Sequence, residues 1–150
     1  MLKEELFWKN KKVLITGHTG FKGSWLTLWL LMLGARVYGY SLIPESKQSL
    51  YSDLEYEFLK YETTQSFTSK FQDIQNKSEL ESFVRKVNPD IVFHLAAQPL
   101  VIKSYEKPIE TWSVNVIGSL NLLESLRFLN RNTAVVLVST DKVYKNDKDE

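Results

Sequence analysis

Two short stretches of the sequence carry residues able to do chemistry. The first is Thr16-Gly17-His18-Thr19-Gly20-Phe21-Lys22-Gly23, three glycines spaced GxxGxxG. It follows the apolar run KVLITG at 12–17 and opens a longer apolar stretch at 21–33. A glycine turn between a strand and a helix suits a dinucleotide. Gly17 permits the tight turn, Gly20 lets the backbone approach a pyrophosphate, and Gly23 allows close helix–sheet packing. The helix N-terminus adds N–H groups and the positive end of its dipole. His18 and Lys22 line the turn, and a tight turn without a ligand is the plainer alternative. The second stretch is Thr140-Asp141-Lys142, at the end of the apolar run AVVLVST over 134–140. In open α/β sheets ligands lie beyond the carboxyl ends of strands. A hydroxyl, a carboxylate and an amine placed there bind a sugar hydroxyl and move protons. On their own they also suit a polar loop after a strand.

The elements that must position these groups alternate. Residues 12–17, 36–41, 67–71, 90–97 and 134–140 read as strands. The spacing predicts a helix over 21–33, apolar almost all round and so buried against a sheet. Leu50, Leu54 and Phe58 mark a surface helix within 42–66. Ser78-Glu79-Leu80-Glu81 resembles a capping box and starts a helix that Pro89 stops. A long helix runs from Pro108 to about Leu129, with Trp112, Val116, Leu120 and Leu123 among its apolar positions. Continuously apolar strands separated by helices imply a parallel sheet covered on both faces. Right-handed crossovers make it a Rossmann-type, doubly wound α/β sheet with strand order 3-2-1-4-5.

The chain has 150 residues, 43% hydrophobic and 25% charged, with net charge +1 and no cysteine. These fractions are those of one globular domain. Zero cysteine excludes disulfides, thiolate metal sites and a Cys nucleophile, and no metal site is expected. Near-neutral charge argues against a nucleic-acid partner working through a basic face. The apolar stretch Trp25 to Leu33 is too short for a bilayer span, and MLKEELFWKNKK is not a secretory signal. A cytoplasmic protein is expected.

The GxxGxxG turn resembles the extended branch of the short-chain dehydrogenase/reductase superfamily. Asp73-Ile74 falls where that branch sets an acid against the adenine amino group. Leu95-Ala96-Ala97 falls where the chain passes the cofactor, and Asn115-Val116-Ile117-Gly118 matches its Asn-Val-x-Gly element. His94 at the strand end reads as a satisfied structural histidine, and Asn115 as a residue bonding a neighbouring strand's main chain. TGHTGFKGSWLTLWL, FHLAAQPLV and STDKVY resemble the sugar-nucleotide 4,6-dehydratases acting on CDP-glucose. Gln72 and Ile102 depart from that pattern, where a glycine and a basic residue are usual.

The resemblance implies an NAD-dependent, redox-neutral dehydration of CDP-glucose to the 4-keto-6-deoxy sugar. Residues 1–150 would form its N-terminal NAD-binding domain. Cofactor contacts fall to Gly17, Thr19, Gly20, Phe21, Lys22, Gly23, Asp73, Ile74, Leu95, Ala96, Ala97 and Asn115, and substrate contacts to Gln98 and Ser104. Thr140 would hold the C4 oxygen, Asp141 would protonate the departing C6 hydroxyl, and Lys142 would be the C5 base or a charge partner of Asp141. Near Ser41, with Glu45 and Lys47 in reach, nothing decides NAD against NADP. A homodimer pairing through the 108–129 helix is implied. Tyr144 and Lys148 have the Tyr-x-x-x-Lys spacing of the family's C4 base but sit in a charged tail. The catalytic pair, last strands and substrate lobe are therefore expected beyond residue 150, with this chain alone inactive. The fifth strand would then be an exposed, aggregation-prone edge. A non-catalytic dinucleotide-binding module, or an epimerase or another dehydratase of the superfamily, are the alternatives.

Overall fold

The computed structural model describes residues 3–44 and 46–140. Five strands form one parallel sheet: β1 (Lys12–Thr16), β2 (Arg36–Ser41), β3 (Phe67–Phe71), β4 (Ile91–His94) and β5 (Ala134–Leu137). Their spatial order is β3-β2-β1-β4-β5, as the alternating pattern predicts. The order reverses between β1 and β4, where Val13 pairs with Ile91 and Thr16 with His94. That reversal opens a crevice at the carboxyl ends of the two strands.

The helices are α1 (Lys3–Trp8), α2 (Phe21–Met32), α3 (Leu50–Asp53), α4 (Glu55–Thr63), α5 (Lys77–Val87), α6 (Val101–Glu106), α7 (Pro108–Trp112) and α8 (Gly118–Arg127). Side chains alternate across the strands and feed two cores. Val13, Ile15 and Val37 pack with Leu30 and Leu31 of α2 and Phe58 of α4. On the other face Leu14, Tyr40 and Val92 pack with Leu80 and Val84 of α5 and Leu122 of α8.

Several elements differ from their sequence reading. Helix α2 is not buried all round. Its inner face is the small-residue side, Gly23, Ser24 and Thr27, followed by Leu30 and Leu31. Phe21, Trp25, Trp29 and Met32 face outward, because only small side chains let the helix lie this close to the turn and sheet. The cap of α5 is Asn76, whose side chain accepts from Glu79 N at 3.3 Å; Ser78 instead donates to Asn76 Oδ1. The surface helix of 42–66 is two helices, α3 and α4, meeting at Leu54. The long helix from Pro108 is interrupted by a π-helical turn at Ser113–Ile117, which joins α7 to α8. The strands end earlier than the apolar runs do, β4 at His94 and β5 at Leu137. All four residues of the edge strand β5 are exposed.

Candidate functional site

The glycine turn closes directly onto the end of β4. Gly17 has φ +76, and a Cβ there would stand 2.7 Å from Ala96 N and 2.8 Å from Leu95 C. Only glycine permits both the left-handed backbone and this approach. Gly23 serves the turn itself rather than the sheet, since a Cβ would meet Gly17 O at 2.1 Å. Gly20 caps α2 without a side chain over the first-turn amides. Gly20 N donates to Gly17 O, which leaves the N–H groups of Phe21, Lys22 and Gly23 opening the helix at the crevice, a set that suits an anionic group such as a pyrophosphate. Phe21 and Lys22 are exposed beside them. These residues fit a dinucleotide.

Two side chains anchor the turn to the sheet. Thr19 Oγ1 lies 2.7 Å from Ser41 Oγ and donates to Leu42 O at 3.0 Å, latching the turn to the end of β2. His18 points away from the crevice into the first core. Its ring stacks on Phe71 and meets Tyr51 and Phe67 edge-on, and Nε2 lies 2.6 Å from Ser69 Oγ. Burial lowers its pKa from 6.5 to about 4, against a smaller opposing pull from the Tyr40 main chain. His18 is thus a neutral anchor beneath the turn.

A second buried chain of hydrogen bonds links β1, β4 and the π turn. Ala96 N donates to Thr16 Oγ1 at 3.3 Å, Thr16 Oγ1 lies 2.5 Å from His94 Nδ1, and His94 Nε2 lies 2.8 Å from Ser119 Oγ. Ser119 Oγ donates to Asn115 O at 2.7 Å, so it accepts from Nε2–H and leaves Nδ1 to accept from Thr16. His94 is therefore neutral, and burial lowers its pKa. Asn115, inside the π turn, accepts from Gln98 N at 2.7 Å and donates to Gln98 O at 3.2 Å.

Gln98 spends its side chain on its own loop. It accepts from Leu100 N at 2.7 Å and donates to Leu100 O and to Thr111 Oγ1. Ser104 donates to Val101 O at 2.6 Å within α6. Both brace the segment after β4, and Ile102 on α6 is exposed. Asp73 and Ile74 follow β3, with Ile74 buried and the Asp73 carboxylate bonded by Gln75. The Tyr40 hydroxyl donates to Asp73 O at 3.3 Å. Burial, with Glu79 and Asp73 nearby, pushes the Tyr40 pKa up to about 12. Beyond β5, Val138 N still donates to His94 O, carrying the chain toward Thr140 at the carboxyl edge of the sheet. Asp141, Lys142, Tyr144, Lys148 and Glu45 lie outside the described residues.

The sequence reading did not single out Thr16 as a ligand of His94, nor Ser119, Ser113 or Gln75. The signal for them was a polar residue set inside an apolar run: Thr16 closes β1, and Ser113 and Ser119 flank Asn115. Among the described residues no group of three His, Asp or Glu could hold a metal, and no helix is long and apolar enough to cross a membrane.

Sheet order, and a glycine turn seated where that order reverses, define a Rossmann-type nucleotide-binding domain. The chain belongs to the family described as GDP-mannose 4,6 dehydratase, whose model matches residues 14–149. It is 45% identical over 140 residues to a CDP-glucose 4,6-dehydratase of Salmonella typhimurium, covering 93% of this chain and 37% of that protein. It is 36% identical to a GDP-mannose 4,6-dehydratase of Vibrio cholerae, covering 90% of this chain and 37% of the relative. A CDP-paratose 2-epimerase of Salmonella typhi is 34% identical, with 89% and 38% covered. The chain thus spans well under half the length of these relatives. Among solved structures, a UDP-glucose 4-epimerase from Stenotrophomonas maltophila, crystallised with NAD and formylated UDP-arabinopyranose, superposes with TM-score 0.74 at 24% identity, over 93% of this chain and 40% of that one. An epimerase from Methanothermobacter thermautotrophicus superposes with TM-score 0.66 at 28% identity, over 85% and 34%. The first of these likenesses bears on the fold alone.

Proposed function

We propose that residues 1–150 are the NAD-binding portion of a CDP-glucose 4,6-dehydratase. One observation carries the cofactor half of this reading: the Gly17 turn abuts Ala96 with no room for a side chain, beneath a helix that opens with bare amides. The substrate half is supported by the Thr140-Asp141-Lys142 sequence and by the 45% identical Salmonella typhimurium relative.

Gly20 and the first-turn amides of α2 hold the pyrophosphate, and Asp73 accepts from the adenine amino group. Leu95, Ala96 and Ala97 form the floor past which the cofactor runs. A nicotinamide bound there would supply a hydride acceptor for C4 of the sugar and a hydride source for C6. Thr140 hydrogen-bonds the C4 oxygen, and Asp141 delivers a proton to the C6 hydroxyl as it leaves. Lys142 takes the C5 proton or holds the charge of Asp141. Gln98 and Asn115 keep the loop after β4 in place rather than touching the sugar. NAD is preferred over NADP on the resemblance alone. The outward apolar positions Ile109, Trp112, Leu120 and Leu123 form the face through which two copies pair.

Calorimetry with NAD, and incubation with NAD plus CDP-glucose, GDP-mannose or UDP-glucose, test the reading. Residues 1–150 are expected to bind NAD and give no 4-keto sugar. The protein carrying the Tyr-x-x-x-Lys pair is expected to convert CDP-glucose first. No NAD binding would overturn the cofactor assignment, and turnover of GDP-mannose in preference would overturn the substrate.

A further inference from the structure

The segment after β3 is fastened to the helix that runs through the π turn. Asn121 Nδ2 donates to Ile74 O at 3.3 Å and to Gln75 O at 3.2 Å. Ile74 is buried against Gly118, close enough that a Cβ there would stand 2.6 Å from Ile74 Cγ2. These contacts already hold the backbone of residues 74 and 75.

A separate chain of bonds acts on a single carboxylate. The Ser113 hydroxyl, at the first position of the π turn, donates to Gln75 Oε1. Gln75 Nε2 donates to both oxygens of Asp73, at 3.3 and 3.2 Å, and Gln75 N donates to Oδ1 at 2.8 Å. The amide has one workable orientation. A carboxylate only accepts, so Nε2 must face Asp73 and Oε1 is left for the hydroxyl. The bonds from Gln75 set the rotation of the Asp73 carboxyl group. Oδ1 is occupied by two donors and Oδ2 by one, which leaves one lone pair on Oδ2 for an incoming group.

A carboxylate edge held in this way attracts an N–H donor on a flat ring and opposes a carbonyl in the same place. We propose that Gln75, held by Ser113, is a positioning residue that makes Asp73 select an amino-bearing purine over a keto-bearing one. This rests on the reading that the site takes a dinucleotide with adenine at Asp73. Gln75 touches no ligand in this scheme; it acts through the carboxylate.

The test compares calorimetric dissociation constants for NAD and for its hypoxanthine analogue, in which a carbonyl replaces the adenine amino group. The unmodified chain is expected to prefer NAD by tenfold or more. Gln75→Met keeps the length and removes both amide bonds, and is expected to cut that preference by about tenfold while changing affinity for the analogue little, the loss of bonds to a charged group being of that order. Ser113→Ala is expected to cut it by about threefold, with Ser113→Thr restoring it. Equal binding of the two dinucleotides by the unmodified chain would overturn the placement of Asp73, and this inference with it. Full preference retained in Gln75→Met would overturn the role of Gln75 alone. Circular dichroism melting checks folding. Should Gln75→Met fail to fold, Ser113→Ala decides, and an unchanged preference in it overturns the proposal.

Discussion

Replacing Gly39 by alanine tests how the glycine turn is anchored. The new methyl would stand 2.4 Å from His18 Cγ, 2.5 Å from Cδ2 and 2.6 Å from Nδ1. The ring has nowhere to go. Its centroid lies 5.5 Å from that of Tyr51 and 6.0 Å from those of Phe67 and Phe71, and Nε2 is held 2.6 Å from Ser69 Oγ. An overlap of this size must displace either β2 or the turn, and overpacking in a filled core costs about 1–3 kcal/mol. In a His18→Ala background the obstacle is gone. There the same substitution recovers the strand propensity that glycine lacks, roughly 0.5–1 kcal/mol. The sign of the Gly39→Ala effect therefore reverses between the two backgrounds, with a coupling of about 3 kcal/mol, at the top of the range for residues in contact. Urea unfolding followed by tryptophan fluorescence measures all four corners of the cycle, and NAD calorimetry on Gly39→Ala should show affinity lost as the turn shifts. Equal destabilisation in both backgrounds would refute the argument.

Four further outcomes follow from the same contacts. Below pH 6.5 the unfolded chain binds a proton that buried His18 refuses until about pH 4. Stability is whole above 6.5, falls as pH drops and has lost about 3 kcal/mol once below His18's folded pKa, with His94 acting in the same direction; urea midpoints at pH 7 and 4.5 should differ less in His18→Asn. Ser119→Ala strands His94 Nε2 and frees Asn115 O, and should cost about 1–3 kcal/mol in urea, while an exposed Lys86→Ala control costs almost nothing. Leu120→Glu, on the outward face of α8, should turn a dimer into a monomer in sedimentation velocity; a chain that is monomeric before substitution contradicts the pairing face. Val136→Lys puts a charge on the exposed edge strand β5 and should raise the concentration at which light scattering first increases.

The fold was legible because burial imposed a period on it. Strands with both faces covered read as unbroken apolar runs, and KVLIT and DIVFH could be nothing else between two helical patterns. The glycine turn was legible for a similar reason, since Gly17 and Gly23 answer steric demands that no other residue meets. Hydrogen bonding by single side chains was legible only in part: His94 is satisfied and Asn115 bonds main chain, as their places suggested, but most partners were not foreseen. That His18 turns into the core rather than the crevice depends on the gap at Gly39, 21 positions later in the chain and in another strand. Gln98 had the look of a ligand residue only through the family resemblance; the positions of Leu100 and Thr111 reveal that its side chain bonds within the protein. The apolar content of α2 misled in the opposite direction. Trp25 and Trp29 dominate its composition, yet Gly23, Ser24 and Thr27 govern its approach to the turn.

The π turn between α7 and α8 makes chain length matter more there than residue identity. A regular helix advances about 100° per residue, and a π turn takes up one residue more than an α turn. Ser113, at the start of the turn, and Asn121, in α8, reach the segment after β3, while Asn115, inside the turn, reaches the segment after β4. Adding one residue to the α-helix beside Ser113–Ile117 would leave the surplus in place and rotate α7 against α8 by about 100°. Every side chain named here would still be present, but one loop or the other would lose its tether. A one-residue insertion beside this turn would therefore do more damage than most substitutions within it.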